Sequence, residues 1–196
     1  VTVGADAFGN VIITGDGYSL TLDGIEDLTF SGGPAGANIT VGDLSTTDIA
    51  PSTVTFIGDQ GNGDASDDFF DGSAANRHLE LFGHNGNDIL IGGNQNDLLS
   101  GGNGRDWLTG NAGNDTLNGG IGVDILDGGT GNDVYYVQNA GDVVIEFADS
   151  GVDSVIASGQ NHYILSGNVE SLMLAEAENG VVTTVNGDGN NLANTI

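Results

Sequence analysis

The segment GGNGRDWLT, residues 101–109, places glycine first, second and fourth, aspartate sixth and leucine eighth. The same order runs unbroken on both sides of it. GHNGNDILI (83–91) and GGNQNDLLS (92–100) precede it; GNAGNDTLN (110–118), GGIGVDILD (119–127) and GGTGNDVYY (128–136) follow. A period of nine is too short for helical repeats and too regular for ordinary hairpins, so it points to a solenoid. Glycine lets six residues turn tightly. The last three residues then form a short strand, in which pleating sends the eighth to one face and the seventh and ninth to the other. The eighth place holds Leu90, Leu99, Leu108, Leu117, Leu126 and Tyr135. This is an inward ladder, and two repeats complete one coil.

Strands this short cannot stand alone, and a core one leucine deep is thin. The sixth place supplies the missing tie: Asp88, Asp97, Asp106, Asp115, Asp124 and Asp133. Stacked strands lie about 4.8 Å apart, so a bare file of carboxylates at that spacing is repulsive. Glycine-rich turns also leave backbone carbonyls pointing between coils. Carboxylates and carbonyls, with no sulfur or imidazole, describe a hard-cation site that takes six or more oxygens at about 2.3–2.6 Å. That chemistry is calcium rather than zinc or magnesium.

The 196-residue chain carries two arginines, no lysine and 28 acids, a formal charge of −26. Such a surface repels nucleic acid and anionic membrane. It also strains a compact state unless cations sit among the acids. Disorder is the alternative reading of so many acids. The evenly spread 38% of hydrophobic residues and the strict period argue for a fold in the presence of calcium. Cysteine is absent, which removes disulfides and thiolate chemistry. No apolar run is long enough to cross a bilayer as a helix. Opening on Val1 rather than methionine, the chain is expected to be a piece of a longer protein.

The six units resemble the RTX (repeats-in-toxin) nonapeptide, GGxGxDxUx, of exported bacterial proteins. The resemblance implies a right-handed parallel β-roll, all β, in which each calcium lies between one turn and the next turn on the same side. Carbonyls of places two and four and the aspartate of the first turn meet carbonyls of places one and three and the aspartate of the second. Four sites follow by that pattern. One joins His84, Gly86 and Asp88 to Gly101, Asn103 and Asp106. A second joins Gly93, Gln95 and Asp97 to Gly110, Ala112 and Asp115. A third joins Gly102, Gly104 and Asp106 to Gly119, Ile121 and Asp124. The fourth joins Asn111, Gly113 and Asp115 to Gly128, Thr130 and Asp133. Asp106 and Asp115 would each serve two ions. His84 and Asn111 replace glycine at place two, and Gln95 replaces it at place four, where backbone strain makes that site the weakest.

Up to six ions are expected if the ends contribute. Upstream, GDASDDFFD (63–71) puts Asp68 sixth, with Asn85 as a further ligand; the next segment, 72–82, is too long and has lost its acid. Downstream, VQNAGDVVI (137–145) puts Asp142 sixth, facing Gly120, Gly122 and Asp124. The expected organisation is a β flank over 1–57, a degenerate entrance over 58–82, the roll over 83–136 and a β cap over 137–196. LDGIEDLTF (22–30) resembles LSGNVESLML (165–174), so similar wider coils are expected at both ends. GGPAGANITV (32–41) echoes the repeat with Asn38 in the acid's place.

No HExxH, GxSxG or Asp-Pro occurs, and acids recruited as metal ligands do not mark a glycosidase. No enzyme activity is expected. The function implied is a calcium-binding module that folds outside the cell after export in an unfolded state through a type I secretion apparatus. Two alternatives stay open: an adhesin or surface-layer segment, and a carbohydrate-binding module of an extracellular enzyme. Either gives the chain a protein or glycan partner, as a monomer or a calcium-dependent assembly. Ile89, Trp107 and Ile125 line one outer face, which is either covered by a flank or an interface.

Overall fold

The computed structural model describes residues 2–5, 11–15, 18–22, 28–31, 38–41, 53–58, 66–148, 150–159, 162–164, 166–175 and 186–188. Among them the regular structure is entirely β. The strands are β1 (Thr2–Ala5), β2 (Val11–Gly15), β3 (Tyr18–Leu22), β4 (Leu28–Ser31), β5 (Asn38–Val41), β6 (Thr53–Ile57), β7 (Phe69–Asp71), β8 (His78–Asn85), β9 (Ile89–Ile91) and β10 (Leu98–Gly104). They continue as β11 (Trp107–Ala112), β12 (Thr116–Gly122), β13 (Ile125–Thr130), β14 (Val134–Val137), β15 (Val143–Ile145), β16 (Ser154–Ser158), β17 (His162–Ile164), β18 (Ser171–Ala175) and β19 (Asn186–Asp188).

The chain alternates between two sheets. One runs β15-β13-β11-β9-β7-β5-β1-β2-β3; the other runs β18-β16-β14-β12-β10-β8-β6-β4. From β6 to β16 every strand pairs in parallel with the strand two before it, which is the path of a β-solenoid. Register follows the repeat. Leu90 pairs with Leu108 and Leu108 with Leu126 on one side. Leu99 pairs with Leu117 and Leu117 with Tyr135 on the other.

All six of these side chains are fully buried, and Phe70, Val144, Leu81 and Val155 extend the two files. Each buried leucine is worth about 1.5–3 kcal/mol against exposure. Alternation does the sorting, because the seventh and ninth places point away from the core. Ile89 and Trp107 stay exposed on the outer face, Ile125 is half-buried, and nothing among the described residues covers them.

Coils outside the nonapeptides are wider. Thr55 and Glu80 face each other 25 residues apart, against 18 within the repeats. β4 and β18, which carry the two similar segments LDGIEDLTF and LSGNVESLML, are the opposite edges of the same sheet. The entrance differs from a simple parallel coil, since β1, β2 and β3 pair antiparallel. The register of β5 also corrects one expectation. Asn38 pairs with Phe69 and Ile39 with Phe70, so Ile39 takes the core place and Asn38 falls in the seventh, one place past the acid position. Hydrophobic burial of Ile39 decides that register.

The slip at 72–82 is absorbed by a tight bend. Ala75 N–H donates to Gly72 O at 2.7 Å, and Ala75 is fully buried. Leu79 then stands in the sixth place, and its N–H donates to Asp97 Oδ1 at 2.8 Å. The lost acid is therefore replaced by an apolar residue in the same register.

Unfolding by denaturant in calcium should separate core from surface. Leu108→Ala is expected to cost about 2–5 kcal/mol. Ile121→Ala, at a side chain 74% exposed, should stay within about 0.5 kcal/mol, because place three presents only its backbone to the gap.

Candidate metal centre

Two files of acids run along the solenoid, one on each edge. On one edge Asp68 N–H donates to Asp88 Oδ1, Asp88 to Asp106, Asp106 to Asp124 and Asp124 to Asp142, at 2.8, 2.9, 2.9 and 3.1 Å. On the other Asp97 N–H donates to Asp115 Oδ1, Asp115 to Asp133 and Asp133 to Asp153, at 2.7, 2.7 and 2.9 Å. Asp153 N–H closes the file on Glu170 Oε2 at 2.8 Å. Each Oδ1 thus fastens one coil to the coil before it.

The second oxygens are the unusual ones. Oδ2 of Asp88, Asp106, Asp115, Asp124, Asp133 and Asp153 is buried and accepts no hydrogen bond. Buried carboxylate oxygens are ordinarily satisfied, and leaving one bare is costly. These atoms lie over the first-place glycine of their own turn: Asp88 over Gly83, Asp106 over Gly101, Asp115 over Gly110, Asp124 over Gly119 and Asp133 over Gly128. A Cβ there would strike the carboxylate.

Carbonyls converge on the same gaps. Gly101 O and Gly128 O face back toward Gly83 and Gly110. His84 O, Gly86 O, Gly102 O, Gly104 O, Asn111 O and Gly113 O face forward onto the turn ahead. In third place, Asn103 O and Thr130 O accept N–H groups from Gly86 and Gly113, at 3.0 and 2.9 Å. The donors brought to each gap are therefore all oxygen. A hard cation fits that set.

The place-four turn requires φ of 129–154°, found at Gly86, Gly104, Gly113, Gly122 and Gly131, which only glycine adopts without strain. At place two, His84 (φ 73°) and Asn111 (φ 75°) keep the left-handed turn beside Gly102, Gly120 and Gly129. Gln95 does not take a positive φ, and neither does Gly93. That turn instead swings Gly93 N–H onto Asp97 Oδ2 at 2.6 Å, while Gly93 O accepts Ala112 N–H at 3.3 Å. The strain read at Gln95 is relieved by a refolded turn that satisfies its own acid.

The end turns differ as well. Asp142 Oδ2 accepts Gln138 and Asn139 N–H at 3.2 and 3.0 Å, and Gln138 Oε1 reaches Gly120 N–H at 3.2 Å. Upstream, Asp68 Oδ2 and Gly83 O both crowd Gly58; Gly63 lies outside the described residues. Asn85 Oδ1 accepts Asn103 Nδ2 at 2.7 Å.

A further ladder was not anticipated. In fifth place Asn114 N–H donates to Asn96 Oδ1, Asn132 to Asn114, and Val152 to Asn132, each at 2.8 Å. It runs opposite in direction to the acid file beside it. Its signal was in the sequence, since four of six units carry asparagine before the aspartate.

Burial pushes the acids up. Asp88 and Asp115 rise to about 7 and Asp97, Asp106 and Asp133 to about 6; Asp124 is raised too. Desolvation is the largest cause, with backbone hydrogen bonds pulling the other way and like charges on adjacent coils adding to the rise for Asp88, Asp106, Asp115, Asp124 and Asp133. Unfolded aspartate titrates near about 3.9. The metal-free fold therefore binds more protons than the unfolded chain between these values. The acids support folding below about pH 4 and withdraw that support as pH rises through about 6–7. In chelator, the melting temperature should climb as pH is lowered from about 7.5 to about 5; a fall over that range would mean the acids are already paired.

Residues 80–99 and 100–135 match the family model described as the RTX calcium-binding nonapeptide repeat (4 copies). The chain matches no curated protein and no solved structure. With that match over coils of this register, residues 80–135 are an array of RTX calcium-binding nonapeptide repeats folded as a β-roll.

Proposed function

We propose that the roll is a calcium-triggered folding module of an exported bacterial protein, and that its sixth-place acids and inward carbonyls are the ligands. The observation that carries this reading is the set of buried Oδ2 atoms without hydrogen-bond donors. Their positions support three ligand sets first: His84, Gly86, Asp88, Gly101, Asn103 and Asp106; Gly102, Gly104, Asp106, Gly119, Ile121 and Asp124; Asn111, Gly113, Asp115, Gly128, Thr130 and Asp133. The set with Gly93, Gln95, Asp97, Gly110, Ala112 and Asp115 ranks below them, because Gly93 N–H already holds Asp97. The Asp142 turn ranks with it for the same reason. Calcium supplies positive charge and a demand for six or more oxygens.

What the chain contributes is a fold that cannot neutralise itself. A ligand that binds only the folded state adds about 1.4–2.7 kcal/mol per site when present at 10–100 times its Kd. Three or four sites then rival the ~5–15 kcal/mol of an ordinary domain. At submicromolar calcium that contribution vanishes, which keeps the chain threadable through a type I secretion apparatus. Secretion to the medium or cell surface follows from this reading.

Titration with calcium should produce a cooperative gain of β circular dichroism that EGTA reverses. An equally strong, cooperatively melting β spectrum in excess EGTA would sink the proposal. Asp115→Asn gives a sharper test, because the amide oxygen still accepts Asp97 N–H while the charge is gone. It should raise the melting temperature in chelator and lose about 3–5 kcal/mol in calcium, since Asp115 serves two gaps. Gln95→Gly should restore the left-handed turn, free Asp97 Oδ2 and raise calcium affinity without adding a site.

A further inference from the structure

The last intact repeat, 128–136, does not face another nonapeptide. It faces the coil 146–156, and the alignment between them is nonetheless that of two repeats. Asp133 N–H donates to Asp153 Oδ1 and Gly131 N–H to Ser150 O, at 2.9 and 2.8 Å. Gly151 packs over the Gly131 carbonyl, as Gly122 packs over that of Gly104. Ser150, Gly151 and Asp153 thus hold the third, fourth and sixth places of a further turn, set 20 residues on rather than 18. Asp127 pairs with Ile145, so Glu146 stands against Gly128 in the first place, where other turns present a glycine carbonyl.

Glu146 sends its side chain into the seam. Tyr135, the one aromatic eighth-place residue of the six repeats, donates its hydroxyl to Glu146 Oε1 and accepts Gly128 N–H at 2.8 Å. Ser150 Oγ donates to Oε2 at 2.6 Å. One oxygen each of Asp133, Glu146 and Asp153 lies within 4.8 Å of the other two. Asp133 is 1% exposed, Asp153 0% and Glu146 9%. The Oδ2 atoms of Asp133 and Asp153 accept no hydrogen bond. The only cationic side chains of fixed charge, Arg77 and Arg105, sit on other turns.

We infer that Asp133, Glu146 and Asp153 form an additional hard-cation site at the seam between the last repeat and the cap. It brings three carboxylates where each gap within the repeats brings two. An all-oxygen set of that charge takes calcium or a trivalent lanthanide rather than zinc. Because Glu146 and Asp153 belong to the cap, the ion fastens the cap to the open end of the roll. This inference shares with the proposed function the premise that the acid files bind cations.

Crystals of the chain grown in calcium and soaked in terbium decide the matter through anomalous scattering. A peak among the three carboxylates is expected, together with peaks between the repeats. Peaks between the repeats with none at the seam overturn this inference alone; peaks nowhere overturn it together with the calcium reading. In solution, Glu146→Gln removes the charge and keeps one oxygen to accept from Tyr135, while Ser150 Oγ, which also lies 2.8 Å from Phe147 O, can turn to accept from the amide. Equilibrium dialysis should then count one calcium fewer per chain, with the circular dichroism response of the repeats retained. An unchanged count means that Glu146 is only a hydrogen-bond acceptor for Tyr135, and rejects the site. Should the variant fail to fold, the terbium map of the unaltered chain stands as the deciding measurement.

Discussion

Each coil is joined to the next by an aspartate whose two oxygens have different work. Oδ1 takes a backbone N–H from the coil behind, at 2.7–3.1 Å along both edges. Oδ2 of Asp88, Asp106, Asp115, Asp124 and Asp133 is buried above a first-place glycine with no donor of its own. The first contact fixes spacing and register; the second leaves the structure incomplete in electrostatic terms. Everything distinctive about the sequence serves this division. First-place glycine makes room for the carboxylate, second- and fourth-place glycine aims the carbonyls, and the eighth-place side chains, leucine in five units and Tyr135 in the sixth, fill the interior.

The leucine files are too narrow to make up for that deficit. A file one side chain deep buries little apolar area per residue compared with a layered domain. Desolvation meanwhile raises Asp88 and Asp115 to about 7. The fifth-place asparagines add neutral ties in the opposite direction, but a neutral amide bond contributes only about 0.5–1.5 kcal/mol. Hydrogen bonding can therefore order the coils without overcoming their charge.

The repeat was legible because strict periodicity leaves one consistent assignment for each place. Position eight points inward in all six units, and even Tyr135 obeys, its hydroxyl held by Gly128 and Glu146. What stayed hidden depended on register rather than residue type. Asp153 sits in the sixth place only because the stretch between Glu146 and Ser150 is two residues longer than in a repeat. GVDSV at 151–155 preserves the tail of the motif, yet its glycine-rich head is missing, so the sequence pattern breaks where the backbone pattern continues. Asn38 shows the converse, a motif echo displaced by one residue because Ile39 is the better core side chain. Likewise Gln95 announced strain, but not that Gly93 would resolve it by capturing Asp97.

These differences bear on how a solenoid with two buried files of acids can be bounded. Repeats alone would leave an open end with a bare acid file, and adding apolar cover there would stabilise the fold without an ion. The cap avoids both outcomes. It continues the hydrogen-bonded ladder through Asp153 to Glu170, and it brings a third carboxylate, Glu146, rather than a neutralising base. With no lysine in the chain and both arginines elsewhere, the seam holds no more neutralising charge of its own than the repeats do. A single lysine in the seam would pair with these acids and let this coil close by itself, uncoupling the end of the roll from the ions we propose between its repeats.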